Sequence, residues 1–446
     1  MTKITFMGAG SHVFATNVLG DCIMSREIED LHIYLYDIDP QRLEDSRRIM
    51  ETMKRNMKRE DVTIVATMDR LEALRGAGYV VNAIQVGGYD PATIADFEIP
   101  KKYGLRQTIA DTLGIGGIFR AMRTIPAVEA FAADMEQVCP DALFLNYTNP
   151  CAMVAGYLQQ YTNIHTVGLC HSVPNCHHSI LVPMGLMKEN EWNQCKWEIA
   201  GINHQAWLLK IEDLDGNDLY PEIKRRSKAM KAGEMKPFHD FYYKDLVRHE
   251  MMHRFGYYNT ESSEHTAEYL PWFIKSKYPE LIEKFNIPLD EYILRCIAGI
   301  EDWDRMRREL VDNPDFDFKG SGEYAAKIIK AKITDVPFQF HGNVANNGLI
   351  TNLPRKACVE VLCVANRTGI HPTIVGDLPE QCAAINRTNI NVQLLTLEGM
   401  KRREKDYIYM AAMMDPHTGS ELSMDEIVSM CDELFEAHKQ WLPEYK

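Results

Sequence analysis

Two places in this sequence bring together residue types that can do chemistry. The first is Gly8-Ala9-Gly10-Ser11, directly behind the apolar run Lys3 to Met7. Glycines let a backbone approach phosphates closely, and a helix starting here offers N–H donors and the positive end of its dipole. Asp37 closes a second apolar run and stands where a ribose 2′-hydroxyl needs an acceptor; an acid there favours NAD over NADP. The third fingerprint position is Val13 rather than glycine, so this reading rests on the strand before, the acid after and the position near residue 8. The second place is Gly168-Leu169-Cys170-His171-Ser172, with Gly201-Ile202-Asn203-His204 further along. Cys170 and His204 offer a thiol and an imidazole for a divalent metal that keeps open positions for substrate oxygens. Two other readings stand beside it. One is a structural zinc on Cys170, His171, Cys176, His177 and His178, whose spacing does not match the paired Cys and His patterns. The other is a buried Cys170 and a His204 that caps a loop. From spacing alone this last reading would win, because residues 34 apart in sequence prove nothing.

These residues need a frame. Strand candidates at Lys3–Met7, His32–Tyr36, Asp61–Ala66, Tyr79–Ala83, Leu143–Tyr147 and Thr166–Leu169 alternate with helix candidates at Val13–Met24, from Pro40, at Ile118–Val138 and at Pro150–Tyr161. Short apolar strands alternating with helices predict a doubly wound parallel sheet, and ligands in such sheets sit beyond the carboxyl ends of the strands. After about residue 170 the pattern becomes mixed. Trp197–Ile202 and Ala206–Ile211 read as paired strands around Asn203-His204. Helices are expected over Phe238–Arg254, Leu289–Leu310, Tyr324–Ile333 and, unbroken, Thr388–Met414. Phe338–His341 and Cys358–Val364 read as extended. The expected division is residues 1–170, a Rossmann-type NAD-binding domain, and 171–446, a mixed α+β catalytic and oligomerisation domain.

Composition narrows the class. The chain has 446 residues, 46% of them hydrophobic and 25% charged, which excludes wholesale disorder and a disulfide mini-scaffold. The formal net charge of −14 gives no electrostatic footprint for nucleic acid or an anionic membrane, and neither is an expected partner. No run approaches the ~20 apolar residues of a membrane span. The amino terminus lacks the long apolar stretch of a signal peptide. Eleven cysteines without such a signal point to free thiols in a reducing, cytoplasmic compartment.

Further motifs complete a recognisable set: Tyr36-Asp37-Ile38-Asp39, Gln107-Thr108-Ile109-Ala110-Asp111-Thr112, Asn146-Tyr147-Thr148-Asn149-Pro150, Cys170-His171-Ser172-Val173, Thr260-Glu261-Ser262-Ser263-Glu264-His265, Asn352-Leu353-Pro354 and Ala411-Ala412-Met413-Met414-Asp415-Pro416-His417. Together with Gly8 to Ser11 and Gly201 to His204 they resemble glycoside hydrolase family 4 over nearly the whole chain. Within it the resemblance is to the bacterial α-galactosidases. The resemblance implies a fold like lactate and malate dehydrogenases, NAD and Mn²⁺ as cofactors, and a homodimer or homotetramer. It implies Cys170 and His204 as metal ligands, Asn149 at substrate hydroxyls and Asp111 beside the catalytic base. Gly8, Gly10, Ser11, Asp37 and Asn82 are assigned to the cofactor. The family's acid position is usually Asp and here reads His171. A Tyr in the phospho-glycosidase branch is the base, and here the matching position reads His265, with Tyr257, Tyr258 and Tyr269 close in sequence. The usual Gly-Pro-Gly-Gly loop reads Gly114-Ile115-Gly116-Gly117.

The chemistry implied departs from the two-carboxylate scheme of most glycosidases. A sugar C2–H is too weak an acid for a side chain to deprotonate. Transient oxidation at C3 places that proton α to a carbonyl, a metal stabilises the resulting enolate, and elimination and water addition follow. NAD is then recycled. The alternatives are a net NAD-dependent dehydrogenase of a hydroxy acid or polyol, the same glycosidase chemistry on α-glucosides or uronates, and a non-catalytic NAD-sensing protein. Individual residues have plainer roles open to them. His171 reads equally as a packed histidine, His265 as a solvent-facing one and Asp111 as a cap. Arg120 and Arg123 lie one helical turn apart and read as a solvated or salt-bridged face. Arg295 is placed at the substrate. Trp207 and Trp272 are expected in the core.

Overall fold

The computed structural model describes all 446 residues. Its backbone is one twelve-stranded sheet. The strands are β1 (Thr2–Met7), β2 (Leu31–Tyr36), β3 (Val62–Thr67), β4 (Tyr79–Asn82), β5 (Leu143–Asn146), β6 (His165–Gly168), β7 (Cys195–Ile202), β8 (Gln205–Asp213), β9 (Tyr258–Asn259), β10 (Phe338–Ala345), β11 (Cys358–Asn366) and β12 (Gly369–Pro372). They run in the order β3-β2-β1-β4-β5-β6-β10-β11-β7-β8-β9, with β12 paired to β11. The first six are parallel. The rest are antiparallel, joined to the parallel part by the bridge from Gly168 to Asn343. This is the expected fold class, a Rossmann-type parallel sheet continued by a mixed α+β half.

Local chemistry accounts for the elements nearest the cleft. β4 and β5 are buried at every position, as strands covered by helices on both faces must be. The helix Pro40–Asn56 begins with Pro40 in its first turn and is capped by Asp39, which accepts from the N–H groups of Gln41 and Arg42. The helix His12–Met24 begins differently. Ser11 precedes it without a side-chain cap, so its first N–H groups remain for another acceptor. Gly8 turns the chain at φ +87°, and a Cβ there would lie 2.9 Å from the backbone of Ala83. Only glycine fits that turn. No helix is long and apolar enough to cross a membrane.

Several expectations change. The expected helix Thr388–Met414 is two, Glu380–Arg402 and Lys405–Met414, because Arg403 adopts φ +60°. Leu289–Leu310 divides at Asp302 into Glu291–Glu301 and Trp303–Leu310. Phe238–Arg254 is a short 3-10 turn, Asp240–Lys244, followed by Leu246–Phe255; the buried Asp245 between them takes bonds from Arg248 and Ser263. No Gly or Pro marks these breaks, and the apolar spacing continues across them. The Arg120 and Arg123 face is not solvated. Arg123 is buried and pairs with Asp96, which also meets His438 at 2.8 Å and so ties the carboxy-terminal helix to the parallel half. Breaking such a buried pair costs about 3–5 kcal/mol. Trp207 is in the core, whereas Trp272 is 45% exposed and stacks on Phe255.

Candidate active site

A cleft of about 550 Å³ opens at the carboxyl ends of β4, β5 and β6. Ser11, Phe14, Ala83, Ile84 and Gln85 form one end; Cys170, His171, His204, Glu261 and His265 lie along the same cleft. Of the Gly8–Ser11 turn, Ser11 alone lines this cleft, so the turn meets the space of the Cys170 donors through its last residue.

Each donor is delivered by an element end. Cys170 follows β6. His204 occupies the two-residue turn between β7 and β8, at φ +64°. A non-glycine residue in that region costs about 1–2 kcal/mol, and the surrounding hairpin imposes it. Glu261 follows β9. The three meet closely, with Cys170 Sγ 3.2 Å from His204 Nε2 and Glu261 Oε2 3.4 Å from the same nitrogen. Behind His204, the Tyr269 hydroxyl is 3.4 Å from Nδ1, which leaves Nε2 facing Cys170 and Glu261. Burial by itself would weaken proton binding at His204. Cys170 and Glu261, then Asp111, overcome it and push the imidazole up to about 10. This point in the cleft favours positive charge.

A second group abuts the first. Asp111 accepts from Thr112 Oγ1 at 2.7 Å and Asn149 Nδ2 at 2.9 Å. His265 Nε2 is 3.8 Å from Asp111, and its Nδ1 meets Ser262 Oγ at 2.7 Å. The loop carrying Asp111 is held by Glu268, whose carboxylate takes the N–H groups of Thr108, Ile109 and Ala110 at 2.8, 3.1 and 2.9 Å. Burial raises the Asp111 carboxyl, but the charge of Arg120, then those of His265 and His204, hold it below its ordinary value. The two remaining histidines are driven apart. His171 Nε2 lies 2.5 Å from Glu323 Oε1, and that bond raises its proton affinity. His265 is buried, which lowers its own.

The donor set suits a divalent cation. A thiol, an imidazole and a carboxylate lie mutually within 4.8 Å, with Asp111 and His265 equally close around His204, in surroundings that already favour positive charge there. The turn suits a dinucleotide by its cradle. A Cβ on Gly10 would lie 2.8 Å from Asp37 Oδ2, and the next helix starts uncapped.

The structure brings Cys170, His204, Asp111, His265, Asn149 and His171 together along one cleft. Asp37 stands at the end of β2 and accepts from the Gly10 N–H at 2.6 Å. Asn82 does not line the cleft. It is fully buried and donates to Asn146 Oδ1 and Thr148 Oγ1, so it braces the loop behind β5. Arg295 reaches the cleft but is tied to Glu291 and Glu264 at 2.8 and 2.7 Å. The zinc alternative dissolves: Cys176 bonds Asn259 O, His177 bonds Trp192 O and His178 bonds Glu189 O, each away from Cys170. Sequence reasoning missed Glu261, Glu323, Glu268 and the role of Tyr269. Glu261 carried a signal, an acid four residues before His265 in a motif already singled out. Glu323, 152 residues from its partner, carried none.

Comparison with known proteins agrees with the geometry. Residues 3–185 match a family model described as family 4 glycosyl hydrolase, and residues 199–418 one described as its C-terminal domain. The chain is 56% identical over 446 residues, covering 100% of both chains, to an α-galactosidase of Bacillus subtilis (strain 168). It is 32% identical over 455 residues, covering 99% of this chain and 89% of the relative, to an α-galactosidase of Rhizobium meliloti (strain 1021). Among solved structures, a 6-phospho-α-glucosidase from gut microorganisms, in complex with NAD and Mn²⁺, superposes with a TM-score of 0.80 at 20% identity, over 100% of both chains, and so shares the fold.

Proposed function

The chain belongs to family 4 of the glycosyl hydrolases, and we propose that it hydrolyses α-galactosides with NAD and Mn²⁺ bound in the cleft. One observation carries this reading: Ser11, at the end of the glycine turn, and the Cys170–His204–Glu261 donor set line the same cleft. The 56% identity to an α-galactosidase along the full chain supports the sugar class.

Gly8, Gly10 and Ser11 would hold the dinucleotide's phosphates and Asp37 its ribose, while Cys170, His204 and Glu261 would hold the cation. When bound, NAD supplies a reversible two-electron oxidation at C3 of the sugar and the cation polarises the adjoining oxygens. The side chains do the rest. Asn149, held by Asp111, orients a sugar hydroxyl. His265, neutral because it is buried, accepts the C2 proton, and the negative charge of Asp111 favours the cation so formed. His171, kept protonated by Glu323, gives its proton to the glycosidic oxygen. Two groups of one residue type thus take opposite roles through opposite environments. Water adds to C1 and the proton movements reverse.

A division near residue 170 is the proposed one; the matched family regions, 3–185 and 199–418, part between residues 185 and 199 and so keep His171 with the nucleotide-binding half. Eleven free cysteines support a reducing, cytoplasmic location. A homodimer or homotetramer is the expected assembly, which light scattering checks. The test of the function is turnover of an α-galactoside in D₂O with NAD⁺, Mn²⁺ and a thiol reductant. Released galactose should carry deuterium at C2, with no net NADH. Stoichiometric NADH without galactose would replace this reading with a dehydrogenase.

A further inference from the structure

Three arginines line the cleft, and their charges are unequally committed. Arg248 gives Nε to Asp245 at 2.5 Å and Nη1 to the carbonyls of Asn259 and Thr260 at 3.4 and 3.2 Å. Arg295 is taken by Glu291 and Glu264. Arg120 is different. It is 8% exposed and still reaches the cleft. Tyr292 lies beside it, with the ring centre 5.7 Å from the guanidinium carbon. Asp111 and Asp96 act on it as charges without forming an ion pair with it, and Asp96 is already bonded to Arg123 and His438. A guanidinium has five N–H donors and no acceptor. Tyr292 takes a hydrogen bond from it, no carboxylate is paired with the other donors, and those that face the cleft are open to what enters it.

We propose that Arg120 selects the sugar, its planar fork spanning the O4 and O6 oxygens of a galactose unit. This rests on the function proposed above, in which the other end of the sugar faces Cys170, His204 and Asn149. An axial O4 lies on the same side of the ring as O6, so parallel N–H groups can meet both. An equatorial O4, as in glucose, turns away and leaves one donor dry. Asp111 beside Arg120 balances its charge locally, which suits hydroxyl oxygens better than a carboxylate.

The test compares the holoenzyme, with NAD⁺ and Mn²⁺, as wild type, Arg120→Gln and Arg120→Lys. Substrates are nitrophenyl α-galactoside, its 4-deoxy and 6-deoxy analogues, the α-glucoside and the α-galacturonide. Loss of a hydrogen bond from a charged donor should lower kcat/KM of Arg120→Gln on the galactoside about 10- to 150-fold. The deoxy and glucoside penalties seen in wild type should shrink in the same variant, because both changes delete one interaction. Arg120→Lys should recover part of the loss, and it replaces Arg120→Gln if that variant does not fold. NAD affinity, read by cofactor fluorescence, should stay unchanged. Undiminished deoxy penalties, or an equal loss on every substrate, would overturn the assignment. Faster wild-type turnover of the α-galacturonide than of the galactoside would give Arg120 to a carboxylate and overturn it too. Wild type that turns over no α-galactoside refutes the function itself, and that result needs no variant.

Discussion

Glu360 offers a test of how the sheet behind the cleft tolerates charge. It lies within β11 with no exposed surface. Asn343 Nδ2 reaches Oε1 at 3.1 Å, and Oε2 has no partner of hydrogen-bond geometry. Burial pushes its carboxyl from 4.5 to about 7, against the pull of His204. The thiols of Cys151, Cys358 and Cys363 and the phenol of Tyr324 also face it and are themselves shifted upward, so they stay neutral. His204 and Glu261 are its charged neighbours. A carboxyl that binds its proton more tightly folded than unfolded destabilises the fold as pH rises from 4.5 through 7. At about 1.4 kcal/mol per pH unit the cost is about 1 kcal/mol at pH 5 and about 3 kcal/mol at pH 8. Glu360→Gln keeps the shape and the bond from Asn343 but cannot ionise. Its stability relative to wild type should therefore rise by about 2 kcal/mol between pH 5 and pH 8. The assay is urea unfolding of both proteins, metal-free, at pH 5, 6, 7 and 8. His249 and His341, lowered by burial to about 3 and about 4, favour unfolding in acid, but they are common to both proteins and cancel. A stability difference that stays flat with pH would refute the reasoning.

Three other perturbations probe the cleft. Cys170→Ser should abolish Mn²⁺-dependent turnover while NAD still binds, measured by activity and cofactor fluorescence; wild-type activity would remove Cys170 from the metal site. Gly8→Ala forces a Cβ to 2.9 Å from Ala83 at φ +87°, so it should raise the Kd for NAD at least about tenfold and lower stability by about 1–2 kcal/mol; calorimetric titration reads the first and thermal melts the second. Glu323→Gln removes the carboxylate that raises the proton affinity of His171. An acid that must be protonated is then lost at lower pH, so the alkaline limb of kcat/KM should move toward acid while the acidic limb stays. An unmoved alkaline limb would take the acid role away from His171.

Much of this was legible in the sequence because it is local. Gly8 to Ser11, Asp37 and Cys170 sit at ends of strands that alternate with helices, and a parallel sheet puts such ends on one edge. The Asn203-His204 turn between two apolar runs gave away a hairpin. Pairings that bring remote segments together had no local mark. Glu323 reaches His171 across 152 residues, and Glu268 reaches Thr108 across 160. Arg120 and Arg123 follow a helical spacing that a solvated face and a buried one share, and only the carboxylates around them distinguish the two. Asn82 differs in its surroundings. A polar residue at a strand end near a nucleotide invites a ligand, yet here it is buried, with its amide nitrogen committed to Asn146 and Thr148 and Oδ1 without a partner.

The two cleft histidines show why both halves of the chain are needed for one reaction. His171 follows β6 of the parallel half, but the carboxylate that holds its proton comes from the segment before the helix Tyr324–Thr334. His265 belongs to the second half, but its carboxylate neighbour Asp111 precedes the helix Gly114–Val138 of the first, and Glu268 of the second half pins that loop. Each imidazole thus has a carboxylate brought to it from a remote part of the chain, and His265 has a second, Glu261 of its own segment, 3.8 Å from Nδ1. A displacement between the two parts would disturb the His171–Glu323 and His265–Asp111 contacts together. The continuous sheet, with β10 laid directly against β6, fixes that relation.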